Sequence, residues 1–264
     1  MAGRSLSELF EDERHFLVTA HRGASYEYPE NTALAMRKAV EAGADMIEFD
    51  LRGTAYSEDV PILLHDATID RVSDKTGSPL DMLLPWMRQM NFSCFVHGAR
   101  QERPVYERLP VSTFEEILEE FAHVIPMNIQ LACGAEDEAL LRRICDLFRQ
   151  YELADWGYLT VDFAYVPFLR GYAPEIELCV TPPMRERATP ENLRRCREEF
   201  GCRFVQPSSA ACTAETFRTI RQLGLRANVF YADTVEEAAR LRDLGALGAL
   251  TNRPELLCPW RDTQ

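Results

Sequence analysis

Short apolar runs alternate along the chain with longer segments in which apolar residues recur every three or four positions. The short runs are FLVTAH (16–21), DMIEFDL (45–51), PILLHD (61–66), MNIQLA (127–132), GYLTVD (157–162), IELCVT (176–181), RFVQP (203–207), RANVFYA (226–232) and LGALTN (247–252). Each has the length of a strand and is apolar enough to be buried on both faces, as parallel strands covered by helices are. Between them, NTALAMRKAVEAG (31–43), STFEEILEEFAHV (112–124), EDEALLRRICDLFRQY (136–151), TPENLRRCREEFG (189–201), TAETFRTIRQLG (213–224) and TVEEAARLRDLG (234–245) carry helical periodicity. Several open on Ser, Thr or Asn and most close on Gly, the residues that cap helices. The alternation predicts an α/β fold, a (β/α)8 TIM barrel, without sequence repeats. Nine strand candidates compete for eight barrel positions, so one belongs elsewhere.

At 264 residues, 46% of them hydrophobic, the chain has the material for one barrel core, and a single domain over 1–264 is expected. One stretch breaks the rhythm. Residues 78–109, which include LPWMRQMNFSCF and HGARQERPVYERLP, are too long for an ordinary loop after the third strand and form either an active-site cover or a small insertion.

Charge narrows the partners. Twenty-nine basic residues against 42 acidic ones give a net charge of −13, which disfavours nucleic-acid backbones and stable association with anionic membranes. Any anionic partner must be small and held locally. The eight cysteines (94, 133, 145, 179, 196, 202, 212 and 258) form no C-x-x-C pair, so free thiols are expected rather than a zinc knuckle or disulfide framework. The first residues, MAGRSLSELFEDERHF, are charged throughout and lack a signal-peptide core, and no segment is long and apolar enough to span a bilayer. A cytoplasmic protein is expected.

Polar residues gather at the ends of the first three strand candidates: His21-Arg22-Gly23, then Glu48 and Asp50, then His65-Asp66. In a barrel the C-terminal strand ends share one face, so these groups converge although they are far apart in sequence. Glu48 and Asp50 are two apart and project from the same side of a strand. Paired carboxylates there call for a cation between them, and hard oxygen donors suit Mg²⁺ or Ca²⁺. The alternative is that the pair answers only to arginines of neighbouring elements. Taken singly, either histidine also has a structural reading; their coincidence with Arg22 and the acid pair favours chemistry.

The run HRGASYEYPENT…AVEAGADMIEFDLRGT…VPILLHDATIDRVSDKTG resembles the glycerophosphodiester phosphodiesterase family, whose pattern is H-R-G, P-E-N-T, G-A-D-x-I-E-x-D, H-D and T-x-G. The likeness continues through LPVSTFEEILEEF, YAPEIEL and GLRANVFYADTVEEAARLRDLGALGALTNRPELL. It implies a (β/α)8 barrel that hydrolyses small glycerophosphodiesters with one divalent cation. Carried over by position, it implies His21 and His65 as the acid and base pair, Arg22 as a phosphate clamp, and Glu48 and Asp50 as metal ligands. Chemistry agrees: an arginine fork matches phosphate oxygens, imidazole titrates near working pH, and a cation neutralises transition-state charge. Glu30 of P-E-N-T is expected to fix the first loop, or else to serve only as an acid at a helix start.

The fourth strand departs from the family. Where N-I-E-I-K is usual, this chain has NIQLA, so Gln130 stands in the position of a third metal-binding carboxylate and Ala132 in that of a phosphate-contacting lysine. An amide oxygen still ligates a hard cation, but without charge. Removing one charge at about 4 Å forfeits on the order of 4 kcal/mol at an effective dielectric near 20, before desolvation relief. The metal set expected is Glu48, Asp50 and Gln130, with weakened binding and reduced activity. Phe230 occupies a place where the family often has Trp, a wall for substrate or plain barrel packing; Asn252 replaces a common Asp; and the turn before VPILLHD lacks the usual T-K-D-G. Two readings follow: a metal-dependent phosphodiesterase, and a repurposed barrel that binds a phosphodiester or phosphate without efficient hydrolysis.

Overall fold

The structure is a computed structural model and describes residues 3–12, 14–134 and 137–264. Its strands are β1 (Leu17–His21), β2 (Met46–Gly53), β3 (Pro61–Leu63), β4 (Phe95–Val96), β5 (Ala99–Arg100), β6 (Met127–Leu131), β7 (Gly157–Val161), β8 (Leu178–Val180), β9 (Phe204–Val205), β10 (Arg226–Val229) and β11 (Gly248–Thr251). Its helices are α1 (Leu6–Glu11), α2 (Ala33–Glu41), α3 (Leu84–Met87), α4 (Phe114–Phe121), α5 (Glu138–Gln150), α6 (Val166–Tyr172), α7 (Pro190–Glu198), α8 (Ala214–Gln222), α9 (Val235–Leu244) and α10 (Pro254–Arg261).

Eight strands run parallel in the order β8-β7-β6-β2-β1-β11-β10-β9, and the ends of that order, β8 and β9, lie side by side, so the barrel is nearly closed. The expected (β/α)8 architecture is present as a single domain. The surplus strand candidate is PILLHD: β3 folds back antiparallel on β2, with Leu51 opposite Leu63 and Gly53 opposite Pro61. A parallel crossover needs a dozen or more residues, and the link 54–60 is too short for one.

The helices form where polar caps and apolar faces coincide. Thr32, Thr113, Thr189, Thr213 and Thr234 cap α2, α4, α7, α8 and α9 through their side chains, and Gly245 closes α9 with φ at 94°. The periodicity did not mark α1, α6 or α10, which are short or begin next to proline. The first of these has a structural task. Ser5 and Glu8 make a capping box, and Leu6 and Leu9 enter the N-terminal end of the barrel against Leu17, Met46, Tyr158 and Phe204. Burying two leucines there contributes about 2 kcal/mol each.

Residues 78–109 carry α3 and the β4–β5 hairpin, and pack their own small cluster, in which Met87 and Phe92 meet Ile62, Leu64, Ile69 and Val72. The insertion therefore braces the segment that follows β3. All eight cysteines are free thiols, and all but Cys133 are buried.

Inside the barrel several inward side chains are polar and hydrogen-bond to one another. Asn128 donates to Gln206 at 3.0 Å and accepts from Thr160 at 2.5 Å, while Asn228 donates to Thr19 at 2.9 Å. These bonds form a rigid floor, since an unpaired amide at this depth would be costly. The site stands on it.

Candidate active site

His21 ends β1, and the chain turns at once through two residues of positive φ, Arg22 at 57° and Gly23 at 81°. A Cβ on Gly23 would come within 2.6 Å of the Ala35 carbonyl carbon, so only glycine fits. The turn folds Arg22 back over the strand ends. Its backbone N–H donates to Glu48 Oε2 at 2.9 Å, Nη1 donates to Glu30 Oε1 at 3.0 Å, and Nε lies 3.1 Å from Asp50 Oδ2.

His21 and Glu48 are register partners of β1 and β2, and the imidazole Nε2 lies 3.9 Å from Glu48 Oε2. The other ring nitrogen, Nδ1, meets Asn252 Oδ1 at 2.7 Å. Asn252 is itself oriented, because its Nδ2 donates to Asp233 Oδ2 at 2.7 Å and its backbone N–H to Oδ1 at 2.7 Å. With its oxygen aimed at the ring, Asn252 accepts a hydrogen bond from Nδ1–H, which leaves Nε2 with a free lone pair in the neutral ring. Burial, then the nearby Arg22 charge, lowers the His21 pKa to about 4, so the ring is neutral at pH 7. Phe230 meets the ring edge-on at 5.3 Å between centroids, and Tyr231 stacks on it at 6.0 Å.

Glu48 and Asp50 are almost fully buried. Asn31, itself at positive φ, clasps Asp50: its Nδ2 donates to Oδ2 at 2.9 Å and its Oδ1 accepts the Asp50 backbone N–H at 3.1 Å. Asp50 Oδ1 is buried without a hydrogen-bond partner among the described residues. Burial and the neighbouring Asp50 charge raise the Glu48 pKa well above the carboxylate range. Two buried acids with an unsatisfied oxygen are the environment that a bound cation relieves, and Gln130 adds its amide from β6, level with Asp50. Oxygen donors of this kind suit a hard cation such as Mg²⁺ or Ca²⁺. The set contains only two acids, and among the described residues no group of three or more His, Cys, Asp or Glu side chains is placed to hold a metal.

His65 follows β3 and is more exposed than His21; its Nδ1 meets Asp66 Oδ1 at 2.7 Å. Arg71 links this histidine to the first loop. It donates to Asp66 Oδ2 at 2.6 Å and to Glu30 Oε2 and Oε1 at 2.7 and 2.8 Å, and its guanidinium lies over Phe95 of the insertion at 4.5 Å. Burial pushes the Asp66 pKa up, but hydrogen bonds from Arg71 and His65 outweigh it and bring the value to about 2. A continuous chain of polar contacts thus runs from His65 through Asp66, Arg71, Glu30 and Arg22 to Asp50.

The structure therefore brings His21, Arg22, Glu48, Asp50 and Phe230 into direct contact, joins His65 to them through Arg71, and sets Gln130 beside Asp50. Glu30 holds two arginines, which neither sequence expectation for it described. Sequence reasoning also missed Arg71, although an arginine five residues after Asp66 and within reach of P-E-N-T was a readable signal, and it saw in Asn252 only a replacement.

A family profile described as glycerophosphoryl diester phosphodiesterase family matches residues 21–256. The chain belongs to this family. Within it, glycerophosphodiester phosphodiesterase 1 of Bos taurus is 41% identical over 91 residues, 34% of this chain and 26% of its own length, so this chain matches about a quarter of that relative. The glycerophosphodiester phosphodiesterase of Bacillus subtilis is 26% identical over 254 residues, covering 91% of this chain and 84% of the relative. Among solved structures, a glycerophosphodiester phosphodiesterase from Agrobacterium tumefaciens superposes with TM-score 0.76 at 21% identity, covering 92% of this chain and 99% of its own. An Oleispira antarctica phosphodiesterase, solved in complex with the product sn-glycerol-3-phosphate, gives TM-score 0.78 at 18% identity and covers 95% and 98%. Both likenesses bear on the fold.

Proposed function

We propose that this glycerophosphoryl diester phosphodiesterase family member hydrolyses small glycerophosphodiesters to glycerol phosphate and an alcohol, using one divalent cation and two histidines. The observation that carries the reading is His21: a buried, neutral imidazole with its Nε2 lone pair facing Glu48, beside Arg22 and a buried carboxylate pair. The product complex of the Oleispira relative supports the substrate class.

Mg²⁺ or Ca²⁺, held by Glu48, Asp50 and Gln130, would neutralise phosphate charge when bound. Arg22, whose Nη1 and Nε face Glu30 and Asp50, keeps Nη2 for a phosphate oxygen. His21 Nε2 takes a proton from the attacking water as its oxygen bonds to phosphorus. The P–O bond to the alcohol breaks, and the departing oxygen takes a proton from Nε2 of His65, whose Nδ1 is held by Asp66. Phe230 and Tyr231 keep the ring of His21 in place and close one wall. The catalytic unit spans 1–264, with 78–109 supporting its rim. Among the described residues no helix is long and apolar enough to cross a membrane. The net charge of −13 supports a small-molecule partner rather than nucleic acid.

The test is hydrolysis of glycerophosphocholine across Mg²⁺, Ca²⁺ and Mn²⁺ titrations, beside the Gln130→Glu, Ala132→Lys double variant. Metal-dependent turnover by the parent upholds the proposal. Turnover only in the double variant would instead identify a barrel that binds the diester without cleaving it, the reading that Gln130 and Ala132 favour.

A further inference from the structure

Beside the site, a cavity of about 490 Å³ opens at the C-terminal ends of β6, β7 and β8. Gln130 lies on its wall, so it adjoins the proposed metal position, and Phe163, Pro182 and Pro183 give it apolar sides. Two charges line it as well, Arg187 from the loop after β8 and Asp162 from the end of β7. Many arginines of this protein, Arg71, Arg149 and Arg261 among them, sit against a carboxylate. Arg187 is half-buried, its Nε donates to the Pro182 carbonyl at 3.1 Å, and among the described residues it forms no ion pair. Burial lowers its pKa, which the nearby Cys179 thiol offsets only in part. Asp162 spends Oδ1 on the backbone N–H of Ala164 at 2.7 Å and is likewise in no ion pair with Arg187.

A half-buried guanidinium held by one backbone carbonyl keeps most of its N–H groups for a planar anion. An exposed carboxylate on the same cavity, not paired with it, leaves room for an ammonium between apolar walls. We propose that this cavity receives the alcohol of the substrate, that Arg187 binds a carboxylate on that alcohol, and that Asp162 receives its ammonium, so that diesters of a hydroxy amino acid are preferred. The inference rests on the phosphodiesterase reading and names its substrate class.

The test compares kcat/KM for glycerophosphoserine, glycerophosphoethanolamine and glycerophosphoglycerol in the parent, Arg187→Gln, Arg187→Lys and Asp162→Asn proteins. Loss of one charge-assisted, bidentate contact is expected to lower glycerophosphoserine turnover about tenfold to a hundredfold in Arg187→Gln, at least tenfold more than on glycerophosphoethanolamine. Arg187→Lys recovers part of the loss. Asp162→Asn lowers the two amine substrates together relative to glycerophosphoglycerol. An equal fall on all three substrates in Arg187→Gln would place the arginine on the shared phosphodiester and overturn the proposal, as would no fall at all. Calorimetric binding of glycerophosphoserine separates this idea from the catalytic one. If the parent cleaves none of the three, the phosphodiesterase reading fails, while weaker binding by Arg187→Gln still upholds the subsite and unchanged binding removes it.

Discussion

Asp50 and Gln130 stand level with one another on the parallel strands β2 and β6, so the neutral amide sits beside the carboxylate whose Oδ1 is buried and unpaired among the described residues. A glutamate at 130 would add a third carboxylate beside Glu48 and Asp50. Gln130→Glu is therefore expected to tighten Mg²⁺ or Ca²⁺ binding by ten- to a thousandfold, since each tenfold is about 1.4 kcal/mol and the added attraction is on the order of 4 kcal/mol before desolvation. Isothermal titration with each ion reads the change directly. Unaltered affinity would remove Gln130 from the cation's surroundings.

The two histidines have different environments and one proposed reaction. Replacing either with alanine is expected to lower kcat by about a hundredfold to ten-thousandfold, the range of a lost general acid or base. Stability should change little in His65→Ala, where the ring is partly exposed. In His21→Ala, Asn252 Oδ1 keeps the Ser25 hydroxyl at 2.9 Å, so the loss should stay near that of one hydrogen bond, about 1 kcal/mol. Turnover equal to the parent in both variants would end the two-histidine mechanism.

Arg71 serves two carboxylates at once, and one of them, Glu30, is buried. Arg71→Met leaves Glu30 to Arg22 alone and releases Asp66 from its fork. Because an uncompensated buried charge is what makes a broken ion pair expensive, urea unfolding should show a loss of about 3 kcal/mol. The kcat should fall as well, as His65 loses its anchor. Arg71→Lys restores charge without the fork and should lie between the two. A variant as stable as the parent would mean that the network carries no weight.

Acid should loosen the same network. Asp66 titrates at about 2 in the folded protein against an ordinary 3.8, so its contribution is complete above that ordinary value and is lost as pH falls toward 2. Glu30, which burial would raise but Arg71 and Arg22 hold below its ordinary 4.5, contributes fully above that value and loses its contribution as pH falls below it. Thermal midpoints followed from pH 5 to pH 2, a span set by linkage to these two groups, should therefore fall less steeply in Asp66→Asn than in the parent, over roughly two pH units. Parallel slopes would show that the Asp66 pairing does not stabilise the fold.

Much of the barrel was legible in the chain because burial on both faces leaves a continuous apolar run, and because threonine caps and amphipathic faces mark helices locally. The surplus strand was legible too, in the brevity of 54–60, once crossover length is weighed. The helix α1 was not, since Leu6 and Leu9 are two apolar residues in a charged stretch and only the open end of the barrel gives them a partner. In the site, H-R-G, the acid pair and H-D announced themselves as polar residues at strand ends. Arg71 and Asn252 did not, because each acts through what it holds rather than through its own type.

The sequence by itself determined the alternation of strands and helices, the residues at the mouth of the barrel, and the replacement of an acid by Gln130. Those depend on local periodicity and on residue identity. The tertiary structure decided which nitrogen of His21 is free, that Arg71 joins His65 to Glu30, and that Arg187 stands without an acid partner among the described residues beside a cavity. The physical reason is that hydrogen-bond direction, desolvation and the neutralisation of charge depend on neighbours brought together from distant parts of the chain, and no linear pattern records them.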